Sequence, residues 1–257
     1  MINIKSKIVV ISGGAGLMGS HFAELIIKNN GTPIVLDNSE KKILKLQKKL
    51  SKYNKDFLIE KIDLTNEKEI IRLTRKIIKK FNKVDCLINN IASNKMYDEK
   101  NSKLENFSLN NWNNDISLGL TANFLLTKAI VKNMIKIKSG NIINMSSDLG
   151  IIAPNQSIYG NKKKPITYSI VKHGIIGFSK YLATYLCKDG IRSNALCPGG
   201  IKHKHDKKFV KKLSSLIPLG RMANIADYDG IILYLISDSS KYMTGSVISV
   251  DGGRTSW

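Results

Sequence analysis

The sequence has few cysteines. Its 257 residues include three, at Cys86, Cys187 and Cys197, which are far apart and form no C-x-x-C pair. Neither a disulfide framework nor a metal site is therefore predicted. Each cysteine lies in an apolar or mixed run, which favours three small, buried side chains and a reducing, cytoplasmic environment.

Long apolar runs are also lacking. The first apolar stretch, KIVVIS at 7–12, is too short for a signal peptide or a membrane span. No membrane association is predicted.

Negative charge is scarce. The chain has 20 acidic residues against 41 lysines and arginines, a formal net charge of +21, and 36 of the basic residues are lysine. Two interpretations stay open: compositional drift in an AT-rich genome, or a basic surface selected for an anionic partner. The lysines are scattered and no nucleic-acid motif occurs, so a nucleic-acid partner is not predicted.

Short apolar strands alternate with amphipathic helices along the whole chain. Strands are predicted at 7–12, 33–37, 57–63, 84–90, 141–147, 191–200 and 246–253, and the main helices at about 17–29, 39–53, 66–81, 112–137, 167–187 and 224–237. This alternation predicts an α/β fold, with a doubly wound and mostly parallel sheet in a single domain over 1–257.

A glycine cluster, SGGAGLMGS at 12–20, follows the first predicted strand and opens the first helix. Gly13, Gly16 and Gly19 let the backbone approach a pyrophosphate, and the helix N-terminus offers it free N–H groups. Asp37 ends the second strand, where a carboxylate accepts from ribose hydroxyls and repels a 2′-phosphate. Because Asn38 follows instead of a basic residue, NAD is predicted and NADP is the less favoured alternative.

Polar residues also end the third and fourth strands. Asp63 could accept from an adenine amino group or could cap the following helix. Asn89 and Asn90 could contact the cofactor or serve only as strand-end turn residues.

The ordered motifs resemble those of the short-chain dehydrogenase/reductase family along essentially the whole chain. They are SGGAGLMG (12–19), DLT (63–65), NNIA (89–92), NMSSDLG (144–150), YSIVKHGIIGFSKYLA (168–183), NALCPGG (194–200), PLGR (218–221) and VDGG (250–253). Within that family, SSDLGIIAP and the ending DGGRTSW look like oxidoreductases of flagellin modification and surface-glycan synthesis. The resemblance implies a Rossmann-like fold.

Tyr-x-x-x-Lys occurs twice, as Tyr159/Lys163 and Tyr168/Lys172. Gly160 and Pro165 oppose a helix through the first pair. The second pair begins a predicted helix, where residues i and i+4 share one face. A lysine cation near a phenol favours its ionised form, so Tyr168 is expected to have a pKa drawn toward working pH.

The resemblance implies three catalytic residues: Tyr168 as acid–base, Lys172 as its partner, and Ser147 as a hydrogen-bonding group for the reacting oxygen. The cofactor-binding residues that it implies are Gly13, Gly16, Leu17, Met18, Gly19, Asp37, Asp63, Leu64, Asn90, Tyr168, Lys172, Pro198, Gly199 and Ile201.

The chain departs from the family pattern at four places. Leu17 stands where the fingerprint usually has a glycine. An insertion, 154–164, separates Ser147 from Tyr168. Gly119 occupies the place of a frequent family asparagine, and Asn123 lies one turn further on. His203 replaces a common threonine, and we expect it to be an exposed loop residue.

A small-molecule substrate is predicted. The lysine-rich segment 201–212 is expected over the substrate mouth, where it could attract an anionic sugar or could be an ordinary solvated helix. Tyr97 and Trp112 could stack on a sugar, although a core role is favoured for Trp112.

The predicted activity is NAD-dependent interconversion of a secondary alcohol and a ketone, on a carbohydrate. The alternatives are a 3-ketoacyl-carrier-protein reductase and a non-catalytic nucleotide-binding or assembly protein. The helices at 112–137 and 167–187 resemble the family's oligomer surfaces, so a homo-oligomer (dimer or tetramer) is expected.

Overall fold

A parallel β-sheet forms the centre of the molecule. The computed structural model describes residues 2–93 and 95–257, and within them seven strands form one sheet in the order β3-β2-β1-β4-β5-β6-β7. The strands are β1 (Ile8–Ser12), β2 (Thr32–Asp37), β3 (Leu58–Lys61), β4 (Cys86–Asn89), β5 (Gly140–Met145), β6 (Ile191–Pro198) and β7 (Val247–Val250). Every strand pair is parallel.

Helices cover both faces of the sheet. They are α1 (Leu17–Lys28), α2 (Glu40–Leu50), α3 (Glu67–Phe81), α4 (Leu109–Ile116), α5 (Ala122–Ile137), α6 (Ile166–Tyr185), α7 (Lys207–Ser214) and α8 (Asp229–Ile236). A π-helical turn, Ser117–Thr121, joins α4 to α5. The helix predicted at 112–137 therefore begins three residues earlier and contains this wider turn.

Alternate residues of β1 point to opposite faces of the sheet. Val9 and Ile11 pack with the apolar faces of α1, α2 and α8, whereas Ile8 and Val10 pack with those of α3, α5 and α6. Because both faces are covered, β1 is buried along its whole length instead of alternating between buried and exposed residues. The predicted fold class is confirmed.

One sequence-based expectation is wrong. Cys86 and Cys197 are buried, but Cys187 is exposed. It lies in a 3₁₀ turn directly after α6, where the chain leaves the core to reach β6. The apolar residues around it belong to the end of the helix and do not cover the thiol.

Among the described residues, no helix has the length and apolar character needed to cross a bilayer.

We expect Leu235→Ala in α8 to lower the free energy of unfolding by about 2–5 kcal/mol, because Leu235 is fully buried and its loss leaves a cavity. Leu44→Ala is the matched control, since Leu44 is 59% exposed. Urea denaturation measures both variants. Equal unfolding midpoints would show that α8 does not pack as described.

Candidate active site

The glycine loop after β1 is closely packed. Gly13 has φ +58, a conformation that favours glycine. A Cβ on Gly19 would lie 2.5 Å from the carbonyl oxygen of Gly13. Only glycine therefore allows α1 to start so close to the end of β1.

The N-terminus of α1 is suited to an anion. Gly16 stands at the N-cap, and having no side chain it cannot cap the helix itself. The N–H groups of Leu17, Met18 and Gly19 belong to the first turn, where no preceding turn supplies a carbonyl. The helix dipole adds positive potential there, so the loop fits the pyrophosphate of a dinucleotide.

Asp37 lies at the end of β2, beside this loop, and is buried. Its carboxylate accepts hydrogen bonds from the backbone N–H of Ala15 (3.0 Å) and of Ser39 (3.0 Å). The side chain thus fixes the glycine loop against β2. A ribose contact would add to these two bonds at the remaining lone pairs of the carboxylate.

Asn90, just after β4, also braces the loop. Its amide donates to the carbonyl oxygens of Ser12 and Gly13, both at 3.1 Å. Asn89 points into the core instead, where its amide donates to Thr127 and Asn144. The two adjacent asparagines therefore differ in position, and only Asn90 lies at the loop.

The turn after β3 contains two further predicted cofactor residues. Asp63 is exposed and accepts from the backbone N–H and the hydroxyl of Thr65 (2.9 and 2.7 Å). It does not cap α3, because Asn66 is the N-cap. Leu64 is buried beside it. The helix-cap alternative for Asp63 is therefore wrong in detail, and its contact with adenine stays a prediction.

The end of β6 comes close to β7. Pro198 is the last residue of β6, and a Cβ on Gly199 would lie 2.8 Å from the Cα of Asp251. Ile201 forms an isolated bridge with Ala223. These contacts fix the segment that follows β6 at the carboxyl edge of the sheet, on the same edge as the glycine loop.

The structure brings Ser147, Tyr168 and Lys172 together. Ser147 directly follows the carboxyl end of β5, and its side chain acts on the phenol of Tyr168, whose pKa it lowers. The ammonium nitrogen of Lys172 lies 5.8 Å from the centroid of the Tyr168 ring and donates to the carbonyl oxygen of Met145 (2.8 Å). The predicted i,i+4 face of α6 is therefore present.

Burial dominates the ionisation of these groups. It raises the pKa of Tyr168 to about 12, against the opposing effect of the hydrogen bond with Ser147. Burial, followed by the charge of Lys164, lowers the pKa of Lys172 to about 8. In the chain alone, the phenol is thus held in its protonated form, contrary to the expectation that Lys172 draws its pKa toward neutrality.

Ser147 is tied to a buried ion pair. Its hydroxyl donates to Asp148 Oδ1 (2.7 Å), and Asp148 Oδ2 accepts from the guanidinium of Arg254 (2.5 Å). Both charged side chains are about 95% buried. Hydrogen bonds therefore run from Ser147, beside Tyr168, through Asp148 to a residue near the C-terminus.

Comparison with known proteins agrees with this arrangement. A family model described as enoyl-(acyl carrier protein) reductase matches residues 14–255. The chain belongs to the short-chain dehydrogenase/reductase family. It is an oxidoreductase of that family.

Among curated relatives, a 3-oxoacyl-[acyl-carrier-protein] reductase of Buchnera aphidicola is 34% identical over 251 residues, which cover 96% of each chain. Post-translational flagellin modification protein A of Campylobacter coli is 28% identical, over 97% of this chain and 98% of that protein. A short-chain dehydrogenase of Leptospira borgpetersenii, solved with bound NAD+, is 30% identical, with a TM-score of 0.86, over 98% of this chain and 94% of that one.

The departure of this short-chain dehydrogenase at Gly119 has a steric cause. A Cβ on Gly119 would lie 2.5 Å from Cγ1 of Val171 in α6. Asn123 does not take the missing place, because its amide donates to the carbonyl oxygens of Gly119 (2.7 Å) and Ile91 (3.2 Å). Its side chain instead stabilises the π-helical turn.

The insertion packs against the predicted lid. Its residues Gln156–Tyr159 form a 3₁₀ turn, and the ring of Tyr159 lies 5.7 Å from that of Phe209 in α7. Tyr159 and Lys163 are thus not on an α-helix, as expected. His203 is exposed, also as expected.

Tyr97 does not offer a face to a sugar. It is buried, its hydroxyl donates to Asp115 (3.0 Å), and its ring packs edge-on against Phe107. Trp112 is half-buried and belongs to neither main core cluster. The stacking hypothesis is therefore wrong for Tyr97, which was drawn inward by its hydrogen bond to a buried carboxylate.

Sequence reasoning missed three residues of the site: Asp148, Arg254 and Lys164. Asp148 directly follows Ser147, and Arg254 is one of only five arginines in a lysine-rich chain, a bias that could have drawn attention to it. The ammonium of Lys164, at the end of the insertion, lies 3.7 Å from the Tyr168 ring centroid. The Tyr-x-x-x-Lys spacing instead draws attention to the neighbouring residue, Lys163.

We expect Arg254→Leu to lower the free energy of unfolding by about 3–5 kcal/mol, because it leaves the Asp148 carboxylate buried without its counter-ion. Arg221→Leu is the control, since Arg221 forms an exposed pair with Asp227 and should change stability little. Chemical denaturation of both variants distinguishes these outcomes. An Arg254→Leu midpoint equal to that of the wild type would contradict the described ion pair.

Proposed function

We propose that this enzyme uses NAD to interconvert a secondary alcohol and a ketone on a sugar or sugar derivative, in surface-glycan synthesis. The observation that carries the carbohydrate assignment is the ammonium group of Lys164, which lies 3.7 Å from the centroid of the Tyr168 ring. An acyl chain would have to desolvate this ammonium group without accepting a hydrogen bond from it, at considerable cost. Hydroxyl groups of a sugar supply such hydrogen bonds.

The cofactor would be held by the loop after β1 and by Asp37. The N-terminus of α1 would bind the pyrophosphate, and Asp37 would accept from the ribose hydroxyls. When bound, the nicotinamide accepts or supplies a hydride. The turns after β3, β4 and β6 would complete the site with Asp63, Leu64, Asn90, Pro198, Gly199 and Ile201.

Tyr168 would transfer the proton. Its raised pKa keeps the phenol protonated, ready to donate to the oxygen of a ketone. In the opposite direction, the phenolate would take the proton of the alcohol. Ser147 would hold the reacting oxygen beside the phenol.

A second candidate is a 3-ketoacyl-carrier-protein reductase. The name of the 34% identical relative favours it, and the net charge of +21 would suit an acidic carrier protein. Turnover of acetoacetyl thioesters with NADPH, without turnover of any sugar in a broad panel with NAD, would establish this alternative in place of ours.

We further propose a homo-oligomer in a reducing cytoplasm. Apolar side chains on the outer faces of α5 and α6 support the oligomer: Phe124, Ile170, Tyr181 and Tyr185 are at least one-third exposed. The three free cysteines suit a reducing compartment. One domain over 1–257 would carry both the cofactor and the substrate.

We expect Asp37→Ala to shift the ratio of NAD to NADP affinity by about tenfold toward NADP, the equivalent of about 1.4 kcal/mol. Removing the carboxylate removes its repulsion of a 2′-phosphate. Calorimetric titration with both dinucleotides measures the ratio, with Asp56→Ala, an exposed position after α2, as the control. An unchanged ratio would count against this role of Asp37.

We expect Tyr168→Phe to lower turnover by at least about 10²- to 10⁴-fold, because the acid–base hydroxyl is lost. Its NAD affinity should stay close to that of the wild type. Tyr159→Phe, in the other Tyr-x-x-x-Lys pair, is the matched control and should keep its turnover. Activity is followed by NADH absorbance across the sugar panel, and a fully active Tyr168→Phe enzyme would refute the assignment.

A further inference from the structure

Lys164 is the nearer of two lysines at the Tyr168 ring. Its ammonium nitrogen lies 3.7 Å from the ring centroid, against 5.8 Å for that of Lys172. Lys172 is directed toward β5 by its bond to Met145. Lys164 approaches from the insertion, so the two cations reach the phenol from different elements.

The insertion holds Lys164 firmly in place. The Gln156 side chain accepts from the backbone N–H of Lys164 (2.8 Å) and donates to its carbonyl oxygen (3.3 Å). Pro165 follows immediately and starts α6. On the other side, Ile158 and Tyr159 pack against α7. Because its backbone is fixed by these contacts, Lys164 loses little further conformational entropy when its side chain lies near Tyr168.

The charged side chains around the phenol of Tyr168 have a net positive charge. Among the described residues, Lys95, Lys164, Lys172 and Arg254 are opposed there by two carboxylates, Asp115 and Asp148. Asp148 is engaged by Arg254 and Ser147, and Asp115 by the hydroxyls of Tyr97 and Thr167. A ligand with a negative group would offset the surplus.

We propose that Lys164 is a specificity-determining residue that binds a carboxylate of the substrate close to the reacting carbon. The substrate class is then a hydroxy acid of the sugar series. This inference rests on the proposed function, since it takes Tyr168 as the marker of the reacting oxygen. The role of the insertion is then to place the ammonium group of Lys164 beside the substrate.

The pH dependence follows from the same geometry. Burial lowers the pKa of Lys164 to about 8, while the charge of Asp148 acts in the opposite direction. The ammonium is present below that pKa and is lost above it. Carboxylate affinity should therefore fall as the pH rises through about 8. The pKa of Lys172 is also lowered to about 8, and the Tyr168 ring lies beside Lys164, so only the part of the fall that disappears with Lys164 is assigned to it.

The test is calorimetric titration of the full-length, NAD-loaded protein with glycolate, lactate, tartrate and gluconate. Each acid is paired with its neutral alcohol (ethylene glycol, propane-1,2-diol, threitol and glucitol) at matched ionic strength. At least one acid should bind the wild type at least tenfold more tightly than its alcohol does. Lys164→Met should remove that preference and the associated fall near pH 8.

Lys163→Met is the matched control, because it removes a neighbouring lysine of the same insertion and should keep the preference. The inference is wrong if no acid is preferred over its alcohol, or if Lys164→Met and Lys163→Met behave alike. Failure of the proposed function would look different, with no NAD binding or with full turnover by Tyr168→Phe.

Discussion

Two reciprocal hydrogen bonds between β5 and α6 determine the geometry of the site. The Ser146 hydroxyl donates to the carbonyl oxygen of Lys172 (2.7 Å), and the Lys172 ammonium donates to that of Met145 (2.8 Å). A Cβ on Gly150 would lie 2.8 Å from the Lys172 carbonyl oxygen, which shows how closely the chain passes. Because one strand end and one helix are joined at two points, Ser147 and Tyr168 cannot drift apart independently.

The C-terminal segment extends this framework. Arg254 donates a hydrogen bond to Asp148, which lies 106 residues earlier in the sequence. Asp148 in turn accepts a hydrogen bond from the hydroxyl of Ser147. Asp251 accepts from the backbone N–H of Gly253 and Thr255, so the turn that carries Arg254 is itself fixed. Ser147 is thus positioned by the C-terminal turn as well as by the strand before it.

Local physics made the fold and part of the site predictable. The alternation of strand and helix patterns predicted the parallel sheet. Gly160 and Pro165 distinguished the helical Tyr168/Lys172 pair from the non-helical Tyr159/Lys163 pair. The Asp148–Arg254 pair escaped prediction because no spacing rule joins residues so far apart. Lys164 escaped because its position depends on Gln156 eight residues earlier, a contact made by an irregular segment. Cys187 is exposed because the 3₁₀ turn after α6 directs its side chain toward solvent, and composition alone does not specify that direction.

Gly119 shows how a departure from the family pattern is coupled to the position of α6. Its missing side chain lets Val171 approach the π-helical turn, and Val171 precedes Lys172 on α6. An asparagine at 119 would clash with Val171, so that side chain or the π-helical turn would have to shift. The close packing of α6 on this turn therefore depends on the absence of a side chain at position 119. The polar groups that surround the phenol come instead from β5, the insertion and the C-terminal turn.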